Sequence, residues 1–302
     1  MTPISERPKL RPLDMRPYQQ DGQRYFLLRD NLQVGDQMLL VPEPLAPALL
    51  LCDGEWTVPE IQALLAQHYR LRFEDGLLPS LVEALDEALF LDNDRFRQAR
   101  ARALDEYRRA PFRPPALAGQ SYPADPAELR GLLDGLLAAA GPVAPAPDAR
   151  GLLSPHIDYP RGGAVYAKAW KRVQPAVQAA ELVVLLGTDH YSDTAASLTL
   201  TRQSYATPFG VLPTDTAVVD ALAEAVGPGA AFAGELRHRG EHSLELVAVW
   251  LHHLRGGEPV ALVPVLTGSF ARCVEQGVSP LSDPALAALV EALRTATAGR
   301  RV

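Results

Sequence analysis

Apolar and polar positions along the chain fall into two regimes. In the first, "YFLLRD" and "QMLLVP" are short apolar runs around the turn-like "DNLQVGD", and they predict two strands. "PLAPALLLCDG" predicts a short helix ended by Gly54. "TVPEIQALLAQHY" predicts another, with Ile61, Leu64 and Leu65 at helical spacing and Thr57 followed three residues later by Glu60, a capping box. "EDGLLPSLVEALDEALFLDND" reads as a further helix, with a small strand at "LFLDNDRF". These elements define a unit over residues 23–95. Residues 1–22 are polar and rich in Pro and Arg and predict a flexible arm; residues 96–111 predict a charged linker helix.

The second regime covers 112–302. Asp125, Pro126 and Glu128 start a helix as cap, Pro at the first helical position and acid at the third. Strand-like runs then alternate with helical ones. "RGLLSPH", "AELVVLLGTDH" and "PVALVPVLTG" are the strands; "GGAVYAKAWKRV", "DTAVVDALAEAV", "SLELVAVWLHHL" and "DPALAALVEALRTA" are the helices. This alternation predicts an α/β class with a mostly parallel central sheet flanked by helices. After the last helix "GRRV" reads as the start of a strand, so the sheet is expected to be completed by a further segment or another chain.

Composition narrows the function. Apolar residues make up 47% of 302, enough for a sizeable core, and the net charge of −7 gives no global basic field for nucleic acid. Cys52 and Cys273 form no CxxC pair, which argues against a disulfide framework or a cysteine zinc cluster. No apolar run is long enough for a membrane span and the first residues lack a signal-peptide core, so the expected setting is soluble and cytoplasmic.

The candidate chemistry sits where predicted strands stop. His156 follows "GLLSP" and His190 follows "LVVLLGTD", each beside an aspartate, Asp158 and Asp189. In open α/β sheets functional groups gather beyond the carboxyl ends of strands. A third cluster, "HRGEHSLEL", supplies His238, Glu241 and His242 at a helix start. Imidazoles with a carboxylate suit a transition metal, and the same set suits metal-free acid–base work. His238 is read as a surface-loop residue, His252 and His253 as structural, and Arg161 as either an anion contact or a solvent-facing side chain. "HRGEH" lacks the HExxH spacing and "YPRGG" lacks the P-loop Lys-Ser.

Six stretches, "RPPALAGQSYPADPAEL", "LLSPHIDYPRGGAVYAKAW", "LLGTDHYS", "YATPFGVLPTD", "EHSLEL" and "LVPVLTGSF", give residues 112–268 a resemblance to the Memo family, or AmmeMemoRadiSam system protein B. The resemblance implies a fold similar to class III extradiol dioxygenases and a non-haem site for iron or copper. It places metal ligands on His156 and His190 and catalytic groups on Glu241 and His242. The family's "SSDxxH" histidine and later cysteine have no match, and Ile157-Asp158 and "GTDH" depart from its pattern. The stretches "LLLCDGEWTVPEIQALL" and "LRFEDGLLPSLVEALDEALFLD" resemble PqqD-like winged-helix domains, which implies a peptide- or partner-recognition module. Two functions follow: a metal-dependent dioxygenase or other redox enzyme, or a non-catalytic peptide- or protein-binding scaffold. The implied partners are a peptide or small molecule, and a homo-oligomer or a C-terminal partner segment.

Overall fold

Asp-Gly pairs suit two-residue hairpin turns because both positions accept positive φ. In the computed structural model, which describes residues 6–192 and 198–302, Asp21 and Gly22 have φ of 51° and 76°. They join β1 (Asp14–Gln20) to β2 (Gln23–Arg29), and β3 (Met38–Pro42) completes an antiparallel sheet of order β1-β2-β3. The arm expected over residues 1–22 is thus a strand from Asp14 onward. Its polar side chains and Pro17 are tolerated on an edge strand, which has a neighbour on one side only, and they disguise it in the sequence.

The chain divides into two compact units, Met1–Glu106 and Tyr107–Val302. In the first, α1 (Ala46–Leu51), α2 (Val58–His68) and α3 (Leu77–Glu87) follow the sheet, and α4 (Asp94–Arg109) contains the boundary. The Thr57–Glu60 capping box is formed, with Thr57 N donating to Glu60 Oε2 at 2.7 Å. Leu28, Val41, Ile61, Leu65, Leu85 and Phe90 are central to this unit's core. Asp30 is buried and accepts from the Leu32 and Val34 N–H groups, and Arg11 neutralises it at 2.8 Å.

The second unit opens with α5 (Pro126–Ala139), capped by Asp125, and α6 (Tyr159–Ala179). Then come β4 (Leu182–Thr188), β5 (Leu198–Leu200), β6 (Tyr205–Thr207) and β7 (Gly210–Leu212). They are followed by α7 (Thr216–Val226), α8 (Pro228–Ala231), α9 (His242–Leu254), β8 (Ala261–Thr267), α10 (Ala271–Gln276) and α11 (Pro284–Ala296). Helix α9 is buried over nearly its whole length, between core side chains that include Tyr166, Leu185 and Leu262.

The expected large, mostly parallel α/β sheet is not what forms. The described residues are 47% helix and 17% strand, and the sheets are small and mixed. Among the described strands β4 and β8 alone form a parallel ladder; β5 joins β8 antiparallel, and β6–β7 is a separate hairpin. The reason lies in the chain. A buried parallel strand needs an unbroken apolar run with every N–H available. Residues 182–188 and 261–267 approach this, Pro264 being the sole interruption. "RGLLSPH" does not: Gly151 and Pro155 bracket it, Leu153 is 97% exposed, and residues 151–156 form no ladder. "ASLTLTRQSYATPFG" is cut by Arg202, Gln203 and Pro208 into short antiparallel pieces. Among the described residues no helix is long and apolar enough to cross a membrane.

Candidate metal centre

Three histidines of the second unit converge from separate elements. His156 precedes α6, His190 follows β4, and His242 is the first residue of α9. Asp158 caps α6 by accepting from Arg161 N (3.1 Å), and Tyr166 Oη donates to Ile157 O (3.1 Å), which fixes the backbone just after His156. Gly162 permits this turn because a Cβ there would collide with the Ile157 side chain. His190 is held from behind by its neighbour: Asp189 is buried, its N donates to Thr267 O (2.8 Å), and Arg237 Nε donates to its carboxylate (2.6 Å). Burial pushes the Asp189 carboxyl upward, against the Arg237 charge. At the end of β4, Gly187 lets α9 come close; a Cβ would lie 2.6 Å from Ser243 Oγ and from Leu244 Cδ2.

The ring centroids lie 5.1 Å apart for His156–His190, 5.7 Å for His156–His242 and 4.4 Å for His190–His242. One ligand-capable nitrogen from each falls within 4.8 Å of the other two. Nitrogens sharing an ion at about 2.1 Å stand roughly 3–3.5 Å apart, so modest side-chain rotations close the set.

Glu241 organises two of the three rings. It is fully buried at the N-terminus of α9, where its carboxylate accepts from His242 N (2.8 Å), Ser243 N (2.9 Å) and His190 N (3.0 Å). Its Oε1 also meets His190 Nδ1 at 2.9 Å and His242 Nδ1 at 3.1 Å. Burial alone raises the pKa of a carboxyl. Here the His242 ring and the Ser243 and His190 N–H groups outweigh it and hold Glu241 at about 2. An ionised carboxylate only accepts, so His190 Nδ1 carries the hydrogen and its Nε2 lone pair is left for a ligand, while the His242 ring stands within ion-pair reach of the same oxygen. Burial, and next the proximity of His190 and His242, lowers the pKa of His156, which favours the neutral ring that binds metal. The donor set therefore fits a transition-metal ion.

Histidine 238, expected on the surface, is fully buried and outside this set. Tyr205 Oη lies 2.7 Å from its Nδ1 and Thr199 O lies 3.0 Å from its Nε2. A carbonyl can only accept, so Nε2 carries the hydrogen, Nδ1 accepts from tyrosine, and neither nitrogen is spare. His252 is filled in the same manner, by Thr207 Oγ1 (2.8 Å) and Gly257 O (2.9 Å). The residue that the sequence reading missed altogether is Arg113. Fully buried, it pairs with buried Glu245 at 2.6 Å and donates to His238 O (2.6 Å) and Glu241 O (2.9 Å). Glu245 also accepts from Ala116 N, Leu117 N and Tyr122 Oη. The signal was available: "RPPALAGQSYP" and "EHSLEL" are the two halves of this network.

A model of the family described as Memo-like protein matches residues 113–279, more than half of the chain. The chain belongs to the Memo family. A MEMO1 family protein of Aquifex aeolicus is 27% identical over 253 residues, covering 82% of this chain and 63% of its own length. That span exceeds the second unit, so the match reaches into the first. A MEMO1 family protein of Thermus thermophilus is 32% identical over 68% of this chain and 60% of its own. One from Methanopyrus kandleri is 32% identical over 51% and 55%. The chain spans less than two thirds of the length of these relatives.

Proposed function

We propose that the second unit binds one iron or copper ion through His156, His190 and His242, and that the protein is a metal-dependent oxidoreductase acting on a small molecule. The observation that carries this reading is the pair of imidazoles backed by one buried carboxylate, with a third ring beside them. His242, expected as a catalytic group, is better used as a third ligand. Glu241 is better used as a positioning residue than as a proton carrier, because His190 and His242 occupy it. Iron or copper held there would supply one-electron chemistry.

The remaining work falls to the chain's own residues. A cavity of about 660 Å³ borders His156 and His242 and is lined also by Leu117, Tyr191 and Leu246. Its apolar side chains favour an organic substrate over a hydrated ion. Asp158 and Arg161 stand in its lining and pair with each other, so a charged substrate group there must compete with that pair. For the first unit, the resemblance of 23–95 to PqqD-like domains supports peptide recognition at a sheet edge, β1 or β3.

The test is an anaerobic titration of the full chain with Fe(II) and Cu(I), beside His156→Ala, His190→Ala and His242→Ala. The expected result is near-stoichiometric uptake by the parent and loss in each variant, followed by oxygen consumption with catechol as a probe. A parent chain that holds neither metal sinks this reading and leaves the binding-scaffold reading.

A further inference from the structure

Among the described residues lining the cavity beside His156 and His242 is one arginine, Arg161, and its guanidinium is half used. Asp158 employs its two oxygens differently. Oδ1 accepts from Arg161 N (3.1 Å) and so caps α6, while Oδ2 accepts from Arg161 Nε (2.6 Å) and pairs with Nη2. A guanidinium presents five N–H donors in a planar fork. The edge formed by Nε and Nη2 faces Asp158, and it is for this edge that a charged substrate group must compete. The other edge, Nη1 with the second Nη2 hydrogen, meets no acceptor among the described residues.

The balance of charge says what that edge is suited to hold. Apart from the imidazoles, the charged side chains among the described lining residues are Asp158 and Arg161, and they cancel. Behind the rings Glu241 contributes one negative charge, and a dipositive ion at the three histidines would contribute two positive ones. One positive charge is left over. A single carboxylate balances it, whereas a phosphate dianion exceeds it and an ammonium group adds to it. A carboxylate is also planar and matches two parallel N–H groups of a guanidinium edge. Leu117, Pro155, Ile157 and Leu246 make much of the remaining wall apolar, so the acid that fits carries a hydrocarbon body. The segment 156–161 has His156 at one end and Arg161 at the other, and both border the cavity. The acid group and the reacting group of one molecule can therefore be held at separate points.

Given the metal-centre reading above, on which this rests, we propose that the substrate is a small organic monoacid with an apolar body, and that Arg161 selects it by taking the carboxylate on its free edge. Asp158 acts on the ligand in the opposite sense. Arg161 attracts the carboxylate, and the charge of Asp158 offsets part of that attraction. The offset keeps the site from holding inorganic anions that bring no apolar contact.

The probes are cyclohexanecarboxylate and cyclohexanecarboxamide, which share a shape and differ in charge. Each is titrated anaerobically into the full chain, metal-free and after Fe(II) addition, with binding read by ligand-observed NMR at low salt. The acid is expected to bind about fivefold more tightly than the amide, the size of a partly exposed ion pair, and the preference to shrink as salt is added. Arg161→Gln is expected to remove most of that preference and to leave binding of the amide unchanged. Asp158→Asn retains a capping side chain and is expected to raise the preference about twofold. A merely structural pair would move both variants the same way. Three results overturn the proposal: equal binding of acid and amide, a preference that survives Arg161→Gln, or a preference that falls in Asp158→Asn. Fe(II) uptake is measured in the same samples. A chain that prefers the acid and holds no metal fails the metal reading alone, and a chain that holds metal without the preference fails this proposal alone.

Discussion

Within the second unit, histidines in two neighbouring settings behave oppositely. His190 gives Nδ1 to the Glu241 carboxylate, His242 Nδ1 stands 3.1 Å from the same oxygen, and among the described residues neither ring's Nε2 is taken. His238 and His252 have both nitrogens filled by tyrosine, threonine and carbonyl groups. The second pair is buried and the first is partly exposed, whereas proximity along the chain does not sort them, since His238 and His242 are four residues apart. What makes the difference chemically is whether the second nitrogen has been taken. A half-satisfied imidazole is a ligand in waiting, and a fully satisfied one is part of the core.

Arg113 touches both settings through His238 O and Glu241 O, so its loss is the severest way to break the contrast. Arg113→Met leaves Glu245 buried without its cation. The expected cost is about 3–5 kcal/mol of folding stability, read by urea denaturation. A loss below 1 kcal/mol would mean that the network is ornamental.

A smaller effect separates the filled histidine by pH. Burial lowers the pKa of His238 from 6.5 to about 3. As pH falls through 6.5 the unfolded chain takes up this proton and the folded chain does not. Stability is therefore whole above pH 6.5 and declines toward pH 3, at about 1.4 kcal/mol per pH unit from this group. Chemical denaturation at pH 7 and pH 5 checks it, and His238→Gln should flatten that slope.

Glu241→Gln tests the half-filled pair. The amide can still accept from the helix N–H groups but no longer draws both imidazoles with a charge. Metal affinity in competition titrations is expected to fall about 10–100-fold with the fold retained. The mildest effect belongs to Asp158. Removing its cap as Asp158→Ala should cost about 1 kcal/mol and leave metal affinity unchanged, because its carboxylate serves Arg161 N and not the rings. A parallel drop in metal affinity would place Asp158 in the site.

How much of this was legible depended on the range of the interactions involved. Local chemistry was readable: the Thr57–Glu60 box, the Asp125 cap and the paired strands at 182–188 and 261–267 follow from short stretches. The sheet was over-read because an apolar run such as "GLLSP" looks like a strand whether or not a neighbour exists to pair with it. β1 was under-read because an edge strand carries little apolar pattern, although Asp21-Gly22 announced its hairpin. His156 and His190 could be nominated from what precedes them. That His242 stands beside them, that Glu241 binds two of them, and that His238 is buried depend on where α9 lies against β4. Contacts between residues some fifty positions apart leave no periodic trace.

Gly187 gives that arrangement its scale. It touches none of the three rings, yet the missing methyl group lets Ser243 and Leu244 seat against the strand. The aperture of the site is calibrated from the rear. Restoring one carbon at 187 would act as a spacer, moving the His242 end of α9 away from the His190 end of β4 without altering a single donor. A centre built in this way can be detuned from outside its coordination sphere, and position 187 is where a designer would turn the screw.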